Sequence, residues 1–159
     1  CLNITKICYN RNIINFKFMC FMVDQEKIQE LLTRGVENIY PNKEFLEAKL
    51  KKGEKLTLYT GYDPTGPTLH LGHGITMVKL KQFQNLGCKI IMLIGDFTGM
   101  IGDPTDKTSA RSKLTREEVL ENCKNYKEQA SAILNFEGDN PVEVKYNSEW
   151  LGKMSHVKG

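Results

Sequence analysis

No apolar run in the 159-residue sequence approaches the roughly 18 to 20 residues that a membrane-spanning helix needs. The longest near the N-terminus is Phe18-Met-Cys-Phe-Met-Val23, and Lys17 interrupts any signal-like core before it. The five cysteines, Cys1, Cys8, Cys20, Cys88 and Cys123, are odd in number and form no C-x-x-C pair. That pattern argues against a disulfide framework and a zinc knuckle, and a reducing, cytoplasmic setting is the expectation. An excess of one charge is also lacking. Residues 1–22 hold Lys6, Arg11 and Lys17 without an acid, and the rest of the chain carries 19 basic and 19 acidic groups. A highly basic nucleic-acid wrapper is therefore excluded and DNA is not an expected partner, while a local RNA-binding patch stays open. What is present, 40% hydrophobic and 26% charged residues, is the composition of a soluble globular protein of about one domain.

The first break in organisation falls near Met22, where an Asn-rich basic stretch gives way to mixed charge. Residues 1–21 read as a non-native or disordered extension, with a targeting arm as the alternative, and residues 22–159 as one folded portion. Asp24 can cap a helix carrying Ile28, Leu31 and Leu32 that stops at Gly35, and Asn42 can cap another over Lys43 to Lys52 that stops at Gly53. Lys55 to Thr60 is a strand candidate, and Gly61 to Thr68 is too rich in Gly and Pro to continue it. A helix over His70 to Leu86 follows, with Ile75, Val78, Leu80 and Phe83 available for burial, and then an apolar strand over Lys89 to Gly95. Thr115-Arg-Glu-Glu118 is a capping box for a helix reaching about Leu134, and Val142 to Tyr146 is a further strand. Alternating β and α segments predict an α/β protein with a doubly wound parallel sheet. Ligands bind such sheets beyond the carboxyl ends of the strands, where Gly61–Pro67 and Asp96–Lys113 fall.

Two of the three histidines, His70 and His73, stand three residues apart at the predicted start of the helix after the first core strand. At that spacing they share a face, and a helix N-terminus offers unpaired N–H donors and a positive dipole end, which suits a phosphate chain. Gly72 lets a ligand approach the backbone closely. Two imidazoles that merely cap or pack the helix start are the competing explanation.

The run Tyr59-Thr-Gly-Tyr-Asp-Pro-Thr65, followed by His70-Leu-Gly-His73, resembles the signature of class I aminoacyl-tRNA synthetases, and among them the tyrosyl-tRNA synthetase family. Gly95-Asp-Phe-Thr-Gly-Met-Ile-Gly-Asp-Pro-Thr105 with Lys107 to Arg111, and Tyr146-Asn-Ser-Glu-Trp-Leu-Gly-Lys-Met-Ser155, resemble further stretches of the same family in the same order. The resemblance implies a Rossmann-like, HUP-type nucleotide-binding domain that is incomplete here. It implies tyrosine, ATP and tRNA(Tyr) as partners, Mg²⁺ with the ATP, and a homodimer at full length. The chemistry implied is attack by the tyrosine carboxylate on the α-phosphorus of ATP, giving tyrosyl-adenylate and pyrophosphate, then transfer to the tRNA. The protein's part in that is positioning and charge stabilisation.

Carried over residue by residue, the resemblance puts Thr65 and His70 on the departing phosphates, and His73 and Gly72 on the nucleotide. It puts Thr60 and Thr76 near the ribose, with Gly61 and Asp63 in the same ATP site. Family members often have Cys where Thr60 stands, and a hydroxyl still bonds a ribose. Lys107 and Arg111 match cations of a mobile loop that closes on pyrophosphate, a loop that would otherwise read as a solvated basic face. Asp103 resembles the acceptor of the substrate ammonium, with Thr98 beside it, and Tyr59 the partner of the substrate phenol. Locally, Asp103 and Asp63 also read as turn formers and Tyr59 as a strand aromatic.

Lys153-Met-Ser155 looks like the start of the lysine-rich second signature of class I synthetases, but His156 follows where lysine is required. The true lysine loop, the phenol-binding carboxylate and the anticodon-recognising part are then expected outside this stretch, and activity of the piece alone is not expected. Two other readings remain: a nucleotidyltransferase with an H-x-G-H site, which leaves Tyr59 and the Gly-Asp-Pro loop unexplained, and a non-enzymatic relative that keeps the fold.

Overall fold

A computed structural model describes residues 25–101 and 114–153. The chain divides into two compact units, one up to Lys55 and the other from Leu56. The expected extension over residues 1–21 and the Asp24 cap lie outside the described residues.

The first unit contains α1 (residues 25–33) and α2 (Lys43–Lys51). Ile28, Leu31 and Leu32 recur at helical spacing on α1, and all three are buried. Asn42 caps α2 as its sequence suggests, its side chain accepting from the Phe45 N–H at 2.8 Å. Gly35 and Gly53, the two predicted stops, adopt φ of 64° and 71°, the left-handed region where a Cβ is penalised. The Gln29 amide donates to Glu47 at 2.7 Å, tying α1 to α2.

The second unit runs β1 (Thr57–Tyr62), α3 (Leu71–Asn85), β2 (Lys89–Ile94), a 3₁₀ turn (Thr98–Met100), α4 (Arg116–Cys123), α5 (Tyr126–Ala130), β3 (Glu143–Tyr146) and α6 (Ser148–Leu151). All three described strands are parallel and stand in the order β1-β2-β3. The protein is therefore α/β with an incomplete parallel sheet. Both crossovers step the same way along it, and the reversal of order that makes a sheet doubly wound requires strands beyond these three. Period-two alternation divides the sheet into two faces. Tyr62, Ile90, Met92 and Ile94 are almost wholly buried on the face toward α3, whereas Tyr59 on the other face is 70% exposed.

Three expectations about these elements change. β1 does not end at Thr60: Gly61 pairs with Leu93 and Tyr62 with Ile94, because burying the Tyr62 ring completes the inner face, and the chain turns only at Asp63-Pro64. On α3 the buried side chains are Met77, Leu80, Phe83 and Gln84, while Ile75 and Val78 are 65% and 52% exposed. The helix carries two apolar stripes, and packing selects the one that holds Met77. The segment from Thr115 to Leu134 is two helices rather than one, joined at Lys124–Asn125 and finished by a turn in which the Leu134 N–H donates to the Ala130 carbonyl. Cys88 and Cys123 are buried and unbridged, and burial pushes both thiols up.

Candidate functional site

The loop that leaves β1 carries Asp63 to Leu69 across the carboxyl end of the sheet. Gly and Pro deprive it of regular bonding, so its carbonyls must find partners elsewhere. They find them on one stripe of α4 and α5. Asn122 donates to the Pro64 carbonyl at 3.0 Å, the Tyr126 hydroxyl to the Gly66 carbonyl at 2.6 Å, and the Gln129 amide to the Pro67 carbonyl at 3.0 Å. Gln129 also accepts from the Leu69 N–H at 2.8 Å. Positions 122, 126 and 129 keep helical spacing across the joint between the helices, so one face clamps the loop from end to end. Thr65 sits exposed on the clamped loop, its N–H held by the Asp63 carbonyl at 2.8 Å.

The clamp delivers the chain to α3 at His70, which is the N-cap. The two imidazoles form a reciprocal capping box: the Gly72 N–H donates to His70 Nδ1 at 3.1 Å, and the His70 N–H donates to His73 Nδ1 at 3.2 Å. The rings stack at 3.8 Å between centroids. A ring nitrogen that accepts carries no proton, so on each ring Nε2 is the nitrogen left to carry an N–H. Burial first, and His70 second, hold the His73 pKa below the ordinary imidazole value and so favour this neutral form. A Cβ on Gly72 would lie 3.0 Å from His70 Cε1, a tight contact that the His70 ring would have to relieve by shifting a few tenths of an ångström within the cap.

Tyr62, a residue that sequence reasoning passed over, buttresses this pair. Its ring meets His73 edge-on at 5.6 Å, and its hydroxyl lies 3.3 Å from Thr76 Oγ1. The Thr76 hydroxyl already donates to the His73 carbonyl at 2.8 Å, so it receives the Tyr62 proton. Burial pushes the Tyr62 phenol up, against the hydrogen bonds of Thr76 and Thr60, which lower it. Its signal was alternation, Tyr62 standing two and four residues beyond Thr60 and Leu58. Thr60 and Thr76 thus come together around Tyr62, whereas Tyr59 and Gly61 lie on the opposite, open face.

A second cluster joins the carboxyl ends of all three described strands. Thr98 Oγ1 donates to Asp63 Oδ1 at 2.7 Å, and Asn147 Nδ2 donates to Thr98 Oγ1 at 2.9 Å. The approach of Asp63 depends on Gly95, where a Cβ would overlap Asp63 Oδ1 and fall 2.6 Å from Thr98 Oγ1. Neither Gly95 nor Asn147 has a local sequence signal for this role, since their partners are far away in the chain. Asp103, Lys107 and Arg111 lie outside the described residues. Among the described residues no group of three His, Cys, Asp or Glu side chains could hold a metal ion, and no helix is long and apolar enough to cross a membrane.

Comparison with known proteins bears on this geometry. The family model of tRNA synthetases class I (W and Y) matches residues 51–158. The tyrosine–tRNA ligase of Xanthomonas euvesicatoria pv. vesicatoria is 48% identical over 134 residues, covering 84% of this chain and 32% of that protein. The tyrosine–tRNA ligase of Haemophilus ducreyi is 50% identical over 129 residues, covering 81% and 32%. The chain thus spans about a third of the length of these curated relatives. Among solved structures, a C-terminally truncated mitochondrial tyrosyl-tRNA synthetase of Aspergillus nidulans shares the fold with a TM-score of 0.68 at 20% identity, over 91% of this chain and 46% of that one. The tyrosyl-tRNA synthetase of Archaeoglobus fulgidus, complexed with L-tyrosine, aligns with a TM-score of 0.61 at 28% identity, over 80% and 36%.

Proposed function

Given that the chain belongs to the class I tRNA synthetase family of the W and Y type, we propose that residues 22–159 are the N-terminal portion of the catalytic domain of a tyrosine–tRNA ligase. The whole enzyme activates tyrosine with ATP and passes the tyrosyl group to tRNA(Tyr). The observation that carries this reading is the histidine-built cap of α3. It leaves two Nε2–H donors and a helix N-terminus with no acid in its first turn beside the carboxyl end of β1, an arrangement that attracts a polyphosphate. His70 and Thr65 take the departing phosphates, and His73 and Gly72 meet the nucleotide. Thr60, Gly61, Asp63 and Thr76 complete the ATP site. Tyr59, on the open face of the sheet, pairs the substrate phenol, which disfavours a ring without the hydroxyl once that face is covered in the whole enzyme. Asp103 and Thr98 take the ammonium side, and Lys107 and Arg111 stabilise the leaving pyrophosphate. Mg²⁺ would accompany ATP and offset the charge of its phosphates. The full-length protein works as a cytoplasmic homodimer.

Amino-acid-dependent ATP–pyrophosphate exchange on the complete reading frame, with tyrosine, tryptophan and phenylalanine supplied separately, tests the reading. Exchange with tyrosine alone is expected. Exchange with tryptophan alone would reassign the substrate within the family, exchange independent of any amino acid would favour a nucleotidyltransferase, and no exchange from folded protein would favour a non-enzymatic relative.

A further inference from the structure

Buried side chains on α3 begin at Met77, and Leu71 at its first position is 81% exposed. Apolar packing therefore grips the body of the helix more firmly than its start, where the histidine cap stands. The start is held through the chain just ahead of it, and chiefly by Gln129. Its Oε1 accepts from the Leu69 N–H at 2.8 Å and its Nε2 donates to the Pro67 carbonyl at 3.0 Å, and the two bonds together settle the orientation of the amide. One planar amide thus spans the two peptide groups on either side of Thr68. The next N–H, of His70, donates to His73 Nδ1, so consecutive peptide groups are held from α5 and from α3, and the chain enters the cap in a fixed direction. Gln129 is itself anchored by its neighbours on α5: Tyr126 and Ala130 are 1% and 0% exposed, and the Gln129 N–H donates to the Asn125 carbonyl at 2.9 Å. Tyr126 adds its own bond to the Gly66 carbonyl at 2.6 Å.

A second glutamine makes a comparable bridge at the far end of α3. Gln84 is 6% exposed; its Nε2 donates to the Asn135 and Asn140 carbonyls at 2.8 and 2.9 Å, and its Oε1 accepts from the Asn135 N–H at 3.1 Å. Both bridges tie α3 to the segment that follows α4. That of Gln129 stands beside the carboxyl end of β1, and that of Gln84 beside Cys88, at the amino end of β2.

Resting on the ligase reading above, we propose that Gln129, seconded by Tyr126, is a positioning residue: through the backbone from Gly66 to Leu69 it holds His70, and Thr65 ahead of it, against the departing phosphates. Gln129 acts only through that backbone. Its effect belongs to the transition state, because His70 and Thr65 are the groups which that reading sets on the leaving pyrophosphate. Gln84 serves the fold alone.

The test is tyrosine-dependent ATP–pyrophosphate exchange on the complete reading frame, with kcat counted per chain that forms tyrosyl-adenylate, so that unfolded molecules do not enter. Gln129→Met keeps the length of the side chain and loses both bonds. A loosened His70 should lower kcat about 10- to 100-fold, the scale of a misplaced group at a reacting centre, and leave KM for tyrosine unmoved. Gln84→Met, which breaks three bonds in a more buried place, should lower the urea midpoint at least as far and leave kcat as it was. A double-mutant cycle then separates positioning from stability. His70→Asn keeps an N-cap for α3 and removes the ring, so adding Gln129→Met to it should cost clearly less than Gln129→Met costs alone. Equal losses in the two backgrounds, unchanged kcat in Gln129→Met, a rise in KM for tyrosine, or a matching fall of kcat in Gln84→Met would each overturn the proposal. If Gln129→Met does not fold, Tyr126→Phe, which removes only the hydroxyl bonded to Gly66, makes the same comparison: a smaller fall in kcat that shrinks beside His70→Asn is expected, and an unchanged kcat overturns the clamp. Absence of exchange in the unsubstituted protein overturns the ligase reading instead; exchange there with Gln129→Met undiminished overturns the positioning role alone.

Discussion

Two helices of this protein begin with the same reciprocal device made from different residues. At α4 the Glu118 N–H donates to Thr115 Oγ1 at 3.2 Å and the Thr115 N–H donates to Glu118 Oε2 at 2.8 Å. At α3 the same bonds run between imidazole nitrogens and backbone. The first box brings Glu117 and Glu118 to the positive end of its helix and satisfies it, whereas the first turn of α3 holds no acid. An acidic cap closes a helix end; a histidine cap orders the end and keeps it open to an anion. The difference shows how one local motif can serve stability at one place and binding at another.

The largest effect should come from converting one kind of cap into the other. His73→Glu supplies a carboxylate to accept the His70 N–H, so α3 should stay capped and the protein folded. It also removes an Nε2–H donor and sets a negative charge against the phosphates, and exchange should fall about 10²- to 10³-fold, the scale of losing one oriented donor at a reacting centre. Circular dichroism alongside the exchange assay separates the two effects. Breaking the other cap should act on stability alone: Thr115→Ala should cost about 1 kcal/mol in urea unfolding and leave exchange unchanged.

The smallest effect is in pH. The folded-state pKa of His73 is lowered by burial and then by His70, so the unfolded chain takes up this proton first as pH falls. Its contribution to stability is complete above the ordinary imidazole pKa of about 6.5 and is lost as pH drops below it. A protonated Nδ1 also cannot accept from the His70 N–H. Melting temperature between pH 7.5 and 5.5 should fall more steeply in the unsubstituted protein than in His73→Asn, whose amide can cap but gains no proton; equal slopes would detach the cap from the titration.

Both caps were legible in the sequence because each is complete within four residues, and the stops at Gly35 and Gly53 were legible because each has a positive φ that glycine adopts without penalty. His70, His73 and Gly72 were legible for the same reason. The buried stripe of α3 was legible only at Leu80 and Phe83, since Ile75 and Val78 are as apolar as the Met77 that packs. Nor was the end of β1, where the tyrosine that sequence assigned to a turn became the last rung of the inner face.

The sequence by itself determined the order of elements, the caps and the chemical character of the first turn of α3, because hydrogen-bond chemistry over three or four residues and hydrophobic period are local properties of a chain. Only the tertiary structure decided which side chains hold the site in place. Asp63 meets Thr98 across 35 positions and Gln129 reaches the Pro67 carbonyl across 62. The physical reason is that each of these bonds exists only once parallel strands have brought their carboxyl ends to one edge, and no local period encodes which distant donor will stand opposite which acceptor.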